Sequence, residues 1–115
     1  MLNYTRLDPQ QCEYVSIGAA SELENGERLL IEIDNLPIVI FRIADVLYAI
    51  GDVCSHDDGP LGDGEVVGLD VTCPRHGARF DIRTGEVKAL PAVVDIPAYP
   101  VREVNGEIEV GLPLV

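Results

Sequence analysis

The sequence predicts an all-β fold, and three observations carry that expectation. Short runs alternate apolar and polar residues at a period of two. An Asn-Gly pair stands between two such runs. Prolines are spread along the chain where helices would have to pass. Taken in order, residues 13–17 (Glu-Tyr-Val-Ser-Ile) alternate and predict a first strand. Leu29 to Ile33 and Leu36 to Ile43 are rich in Leu and Ile, with Asp34-Asn35 as the turn between them. Leu47 to Ile50 continues this meander beyond Ala44-Asp45. Val101 to Val104 and Glu107 to Val110 flank Asn105-Gly106, whose residues accept the positive φ of a type I′ hairpin turn. Pro37, Pro91, Pro97 and Pro100 bound or interrupt strands and make long helices untenable. One helical turn is expected at Ala20 to Leu23, with Ser21 as its cap. Shorter strands near Glu65–Val67, Leu69–Cys73 and Arg79–Asp81 read as an insertion between the Leu47–Ile50 strand and the C-terminal strands. With no repeat, low-complexity stretch or linker, residues 1–115 form one domain, large enough for a modest core.

Composition excludes several classes of function. A net charge of −12 opposes nucleic-acid binding, because phosphate repels it, and favours steering toward a positively charged protein face. The longest apolar run, Ile38 to Ile43, is interrupted by Arg42 and is far too short to span a membrane. The first residues lack a hydrophobic signal segment. Three cysteines offer no disulfide framework once two are assigned elsewhere, so a reducing cytoplasm is the expected compartment, with Cys12 a small hydrophobe or partly exposed thiol. A phosphate-cradling glycine loop is absent, as is any spare His for a nucleophile pair, so no catalytic site is expected.

Two segments do carry chemistry: Cys54-Ser55-His56 and Cys73-Pro74-Arg75-His76. They contain two of the three cysteines and both histidines, as C-x-H, sixteen intervening residues, then C-x-x-H. A thiolate and an imidazole one or two residues apart on a tight loop can face a common centre. Pro74 fixes φ in the second loop, and Gly59, Gly62, Gly64 and Gly77 supply turns. Two such loops can close on one Zn²⁺ in a tetrahedral Cys₂His₂ site, or on a two-iron, two-sulfide cluster with cysteines on one iron and histidines on the other. Around the boxes the charge is mixed: Arg75, Arg79 and Arg83 lie in or after the second, while Asp52, Asp57, Asp58, Asp63 and Glu65 crowd the first. Docking and local ion pairing are both open to these residues.

The pattern Cys54-Ser55-His56-x₁₆-Cys73-Pro74-Arg75-His76-Gly77 resembles the Rieske-type [2Fe–2S] motif. Gly59-Pro60-Leu61, Arg79-Phe80-Asp81, Thr84-Gly85, Pro91-Ala92 and Tyr99-Pro100-Val101 extend the likeness from about Tyr14 to Val110. The resemblance implies a Rieske fold: an antiparallel β sandwich with a small rubredoxin-like cluster-binding subdomain, about residues 51–84. It implies one [2Fe–2S] cluster, with Cys54 and Cys73 on the inner iron and His56 and His76 on the outer. Rieske proteins of respiratory and photosynthetic complexes carry an extra cysteine in each box, forming a disulfide; Gly59 and Arg75 stand there here. Ala78 and Phe80 replace the usual Ser and Tyr donors. Fewer hydrogen bonds to sulfur imply a potential at the low end of a range of roughly −150 to +300 mV. Imidazole ligation implies a potential that falls as pH rises through the histidine pKa values.

That pattern is similar to the ferredoxins that feed non-haem iron oxygenases, including the aromatic-ring dioxygenases. The implied partners are a flavin-dependent reductase and a terminal oxygenase, and the implied form is a monomeric electron carrier, the chain being too short for an oxygenase catalytic domain. A Rieske ferredoxin of another redox or Fe–S assembly pathway shares this chemistry. The small subunit of assimilatory nitrite reductase shares the fold, although members of that group often lack the ligands. A zinc interaction module would use the same four residues differently.

Overall fold

A computed structural model describes residues 10, 12–54, 59–74, 77–92 and 94–113. The described residues form eleven strands: β1 (Cys12–Ala19), β2 (Arg28–Ile33), β3 (Leu36–Ile43), β4 (Val46–Gly51), β5 (Val66–Val67), β6 (Asp70–Thr72), β7 (Arg79–Asp81), β8 (Val87–Ala89), β9 (Ala98–Tyr99), β10 (Val101–Val104) and β11 (Glu107–Pro113). They pair antiparallel in three sheets, ordered β1-β11-β10, β2-β3-β4-β9 and β5-β6-β7-β8. Among the described residues no helix is long and apolar enough to cross a membrane.

The β2-β3-β4-β9 sheet is apolar on both faces, and this sets the architecture. Along β3, Ile38 and Ile40 join a core with Ile108, Val110 and Leu112 of β11. The alternate residues Val39 and Phe41 join a second core with Cys54, Leu61, Val71, Cys73, Phe80 and Ile82. Successive strand side chains point to opposite faces, so a near-continuous apolar run is the signature of a strand covered on both sides. The molecule is therefore three layers with two cores, and the β5-β6-β7-β8 sheet is the outer layer over the second core.

The turns follow from residue type. Asp34-Asn35, Ala44-Asp45 and Asn105-Gly106 each hold two successive positive φ values, the I′ pattern that suits the twist of a hairpin. Ala44 lacks the side chain that normally eases this conformation. Its turn is held instead by Asn25, which donates to the Asp45 carboxylate at 2.7 Å and accepts the Asp45 N–H at 2.6 Å.

Two expectations need correction. The helical turn is a single 3₁₀ turn, Ala20–Glu22, with Ala19 at its N-cap and no side-chain cap bond, so Ser21 lies inside the turn and does not cap it. The sequence reading also missed β8 and β9, of three and two residues. β9 extends the central sheet through Ala49↔Tyr99 and Ile50↔Ala98, and β8 closes the outer sheet against β7.

Candidate metal centre

β4 delivers the first cysteine. Beyond Gly51 the chain leaves the central sheet, and Cys54 turns inward, fully buried, with its N–H donating to the Gly59 carbonyl at 2.7 Å. The second cysteine follows β6 directly. Cys73 is 2% exposed; its N–H donates to the Ala78 carbonyl at 2.6 Å, and its own carbonyl accepts the Gly77 N–H at 3.1 Å. Gly77 makes that tight return possible with φ +79°. Each cysteine thus heads a short loop closed by its own backbone hydrogen bond, and both belong to the same apolar core.

None of the three cysteines is in a disulfide. Two buried thiols in one core suit thiolate ligation of a metal or cluster, because that is a donor set a buried site needs and an oxidised pair would forfeit. His56 and His76 lie outside the described residues, as do Asp57, Asp58 and Arg75. Cys12 is elsewhere, on β1, opposite β11 in the β1-β11-β10 sheet. Ala78 and Phe80, whose side chains offer no hydrogen-bond donor, are both fully buried in the core that holds the two cysteines.

The loops are joined to one another by backbone. Thr72, just before Cys73, donates its N–H to Glu65 at 2.9 Å, and Gly64 donates to Leu61 at 2.9 Å. Gly64 passes so close to β6 that a Cβ there would stand 1.8 Å from the Thr72 carbonyl oxygen. The glycine-rich run therefore does more than turn: at Gly64 it permits contact between the two cysteine-bearing segments. The sequence could flag the glycine but not the strand it touches.

The rim charges divide. Asp52 turns inward, its carboxylate accepting the N–H groups of Leu61 and Gly62. Arg83 pairs with Asp81 at 2.9 Å, while Arg79, Asp63 and Glu65 are exposed. Local pairing thus accounts for Arg83 and backbone capture for Asp52, which leaves fewer charges for docking than composition suggested.

Asp81 is the described buried carboxylate, 2% exposed, at the turn from β7 to β8. It accepts the Arg83 N–H at 2.7 Å and the Arg83 guanidinium at 2.9 and 3.2 Å, with Lys88 at 3.9 Å. Burial pushes its pKa up, but the hydrogen bonds from Arg83 and the two cations outweigh burial and hold it below the usual carboxylate value. A depressed folded-state pKa adds stability that is complete above the unfolded value and is lost as pH falls through the folded one. Asp81→Asn is expected to cost about 1–3 kcal/mol at neutral pH and to flatten the acid limb of the stability curve. Urea unfolding at pH 7 and in steps below pH 4 measures both; an unchanged acid limb would remove Asp81 from the acid response.

A family model for the Rieske [2Fe-2S] domain matches residues 13–100. The chain is 38% identical over 100 residues to the anthranilate 1,2-dioxygenase ferredoxin subunit of Burkholderia cepacia, covering 87% of this chain and 93% of that protein. Among solved structures it superposes on the ferredoxin of carbazole 1,9a-dioxygenase from Nocardioides aromaticivorans with TM-score 0.80 and 33% identity, over 88% of this chain and 98% of the other. It also matches a chain in a complex of reduced oxygenase and oxidized ferredoxin in carbazole 1,9a-dioxygenase, with TM-score 0.81 and 27% identity, over 89% and 95%.

Proposed function

The chain belongs to the Rieske [2Fe–2S] domain family, and on that premise we propose that it is the ferredoxin of a multi-component oxygenase, taking single electrons from a flavin-dependent reductase and handing them to a terminal non-haem iron oxygenase. It is an electron carrier, not itself an enzyme, and its cofactor is one Rieske-type cluster. The observation that carries the proposal is the pair of buried cysteines, Cys54 and Cys73, heading two backbone-closed loops over one core. The names of its relatives, ferredoxin components of dioxygenase systems, and a solved oxygenase–ferredoxin complex with a similar chain support the choice of partner.

In this reading residues of about 51–84 form the cluster-binding part of a single domain. The thiolates of Cys54 and Cys73 hold the inner iron, and the imidazoles of His56 and His76 hold the outer iron. When bound, such a cluster supplies one-electron redox chemistry. The protein's part is to keep the thiolate side dry. Leu61, Val71, Phe80, Ile82 and Ile96 exclude water around the two cysteines, and the backbone hydrogen bonds of Cys54 to Gly59 and Cys73 to Ala78 anchor them. The low end of the Rieske potential range, a monomeric form and a cytoplasmic location belong to the same proposal.

The test is the optical and low-temperature EPR spectrum of freshly purified protein, oxidised and dithionite-reduced, with iron, sulfide and zinc assays on the same sample. Two irons and two sulfides per chain, with the low average g of mixed Cys/His ligation, are expected. A colourless protein holding one zinc and no sulfide would turn the four residues into a structural staple.

A further inference from the structure

The segment that links the two cysteine loops is gripped by two charged residues, one on the central sheet and one just beyond the end of β4. Asp52 follows β4 and is itself anchored, its N–H donating to the Pro37 carbonyl at 2.9 Å. Its Oδ1 accepts two successive backbone N–H groups, those of Leu61 and Gly62. Arg28 opens β2, paired with Phe41, and its guanidinium lies 5.3 Å from the Phe41 ring centroid. One of its nitrogens donates to the carbonyls of Gly62 and Gly64, both at 2.6 Å. The anion takes the donors and the cation takes the acceptors of one four-residue strut. Charge-assisted bonds of this kind are roughly twice as strong as neutral ones.

The strut leads to both cysteines. Asp52 lies two residues before Cys54. Gly64, at the other end, rests against the Thr72 carbonyl immediately before Cys73. Gly62 is pressed between Asp52 and Leu30, since a Cβ there would meet the Asp52 carboxylate and the Leu30 side chain at 3.0 Å each. No disulfide helps hold this layer in place.

We propose that Asp52 and Arg28 form a non-covalent clasp that positions residues 61–64 and thereby sets Cys54 against Cys73 for cluster retention. Both are positioning residues, and the proposal rests on the reading that these two cysteines hold the cluster.

The experiment uses the purified holoprotein and the variants Asp52→Ala, Arg28→Met and their double mutant, with Asp52→Asn and Arg28→Lys as conservative partners. Arg28→Met keeps an apolar stem on Phe41, and Asp52→Asn keeps an acceptor oxygen, so both preserve packing. The readouts are bleaching of the visible spectrum under an iron chelator, amide exchange of the peptide covering residues 59–66, and urea unfolding by far-ultraviolet circular dichroism. Asp52→Ala and Arg28→Met should lose iron about 10- to 100-fold faster than wild type, with faster exchange in that peptide. The unfolding midpoint should move little by comparison. Asp52→Asn should recover part of the loss, and the double mutant should fall short of the sum of the singles because both grip one strut. Bleaching at the wild-type rate in both single variants overturns the clasp. Iron release only in step with global unfolding also overturns it, leaving the pair a merely structural role. Cys54→Ala run alongside separates the two readings: if it keeps a normal cluster the ligand assignment fails, whereas a clusterless Cys54→Ala beside wild-type behaviour at Asp52 and Arg28 removes the clasp alone.

Discussion

Gly64→Ala is expected to yield a protein that still pairs its outer sheets but holds iron poorly. The new methyl carbon would stand 1.8 Å from the Thr72 carbonyl oxygen, 2.9 Å from the Thr72 carbonyl carbon and 3.1 Å from the Leu61 carbonyl oxygen. Every obstructing atom is backbone, so no side chain can rotate away. Relief requires moving β6 away from the first cysteine loop, which strains the Thr72-to-Glu65 and Gly64-to-Leu61 hydrogen bonds. Overpacking of a well-packed site costs about 1–3 kcal/mol and more when backbone must shift, so a loss of roughly 3 kcal/mol or more is expected. Gly68→Ala is the matched control. Gly68 has φ +62° at the β5–β6 turn with nothing within 4 Å of a Cβ, so it should lose only the backbone term, about 1–2 kcal/mol. Urea midpoints with iron content per chain compare the two. Equal, mild losses in both variants would mean that the close approach at Gly64 is not a constraint.

The contrast between these glycines shows what the sequence could and could not reveal. It marked Gly59 to Gly68 as turn-forming, which Gly68 is. The demand on Gly64 comes from Thr72, eight residues away at the end of β6, and no local pattern encodes it. Arg28 is a stronger case, because it meets Gly62 and Gly64 across 34 and 36 residues. By contrast, β3 was legible to its ends: Leu36–Ile43 is an apolar run bounded by two-residue turns, and the structure gives the same limits. That the run is buried on both faces requires knowing that a third layer exists. The strands of that layer are two or three residues long, too short to show a period. β9 escaped for the same reason, lying between Pro97 and Pro100 where proline argues against a strand. Its position follows from pairing with β4, a non-local choice. The cysteine and histidine boxes stood out because metal ligation, the role proposed for them, fixes residue type and spacing together; the structure places Cys54 and Cys73 in one core, while His56 and His76 lie outside the described residues. The clasp did not stand out, since Asp52 and Arg28 are ordinary surface residue types whose roles depend on which backbone groups come within reach.

Cys73→Ala is expected to abolish the cluster and to destabilise the outer layer well beyond the loss of one buried sulfur. The truncation alone removes a small apolar contact in the core formed with Val71, Phe80 and Leu61, worth about 1–2 kcal/mol. A bound metal group adds its own binding free energy to folding, because the site exists only in the folded chain. The outer layer depends on that term more than the sandwich does, having strands of two or three residues where β1, β3 and β11 have eight, eight and seven. Cys12→Ala provides the internal control. Its Sγ packs over Gly111 in the β1-β11-β10 sheet, 2.5 Å from where a Cβ on that glycine would stand, so the variant should keep its iron and spectrum and show only a packing loss. His76→Cys tests the other half of the ligand set with the opposite kind of result. Replacing a neutral imidazole by a thiolate adds negative charge at the metal, which disfavours the reduced state, so a cluster retained in that variant should have a markedly lower potential. Iron analysis, EPR and redox titration of the three variants decide the assignment. A normal spectrum in Cys73→Ala removes the thiolate from the inner iron, and an unshifted potential in a cluster-bearing His76→Cys removes the imidazole from the outer one.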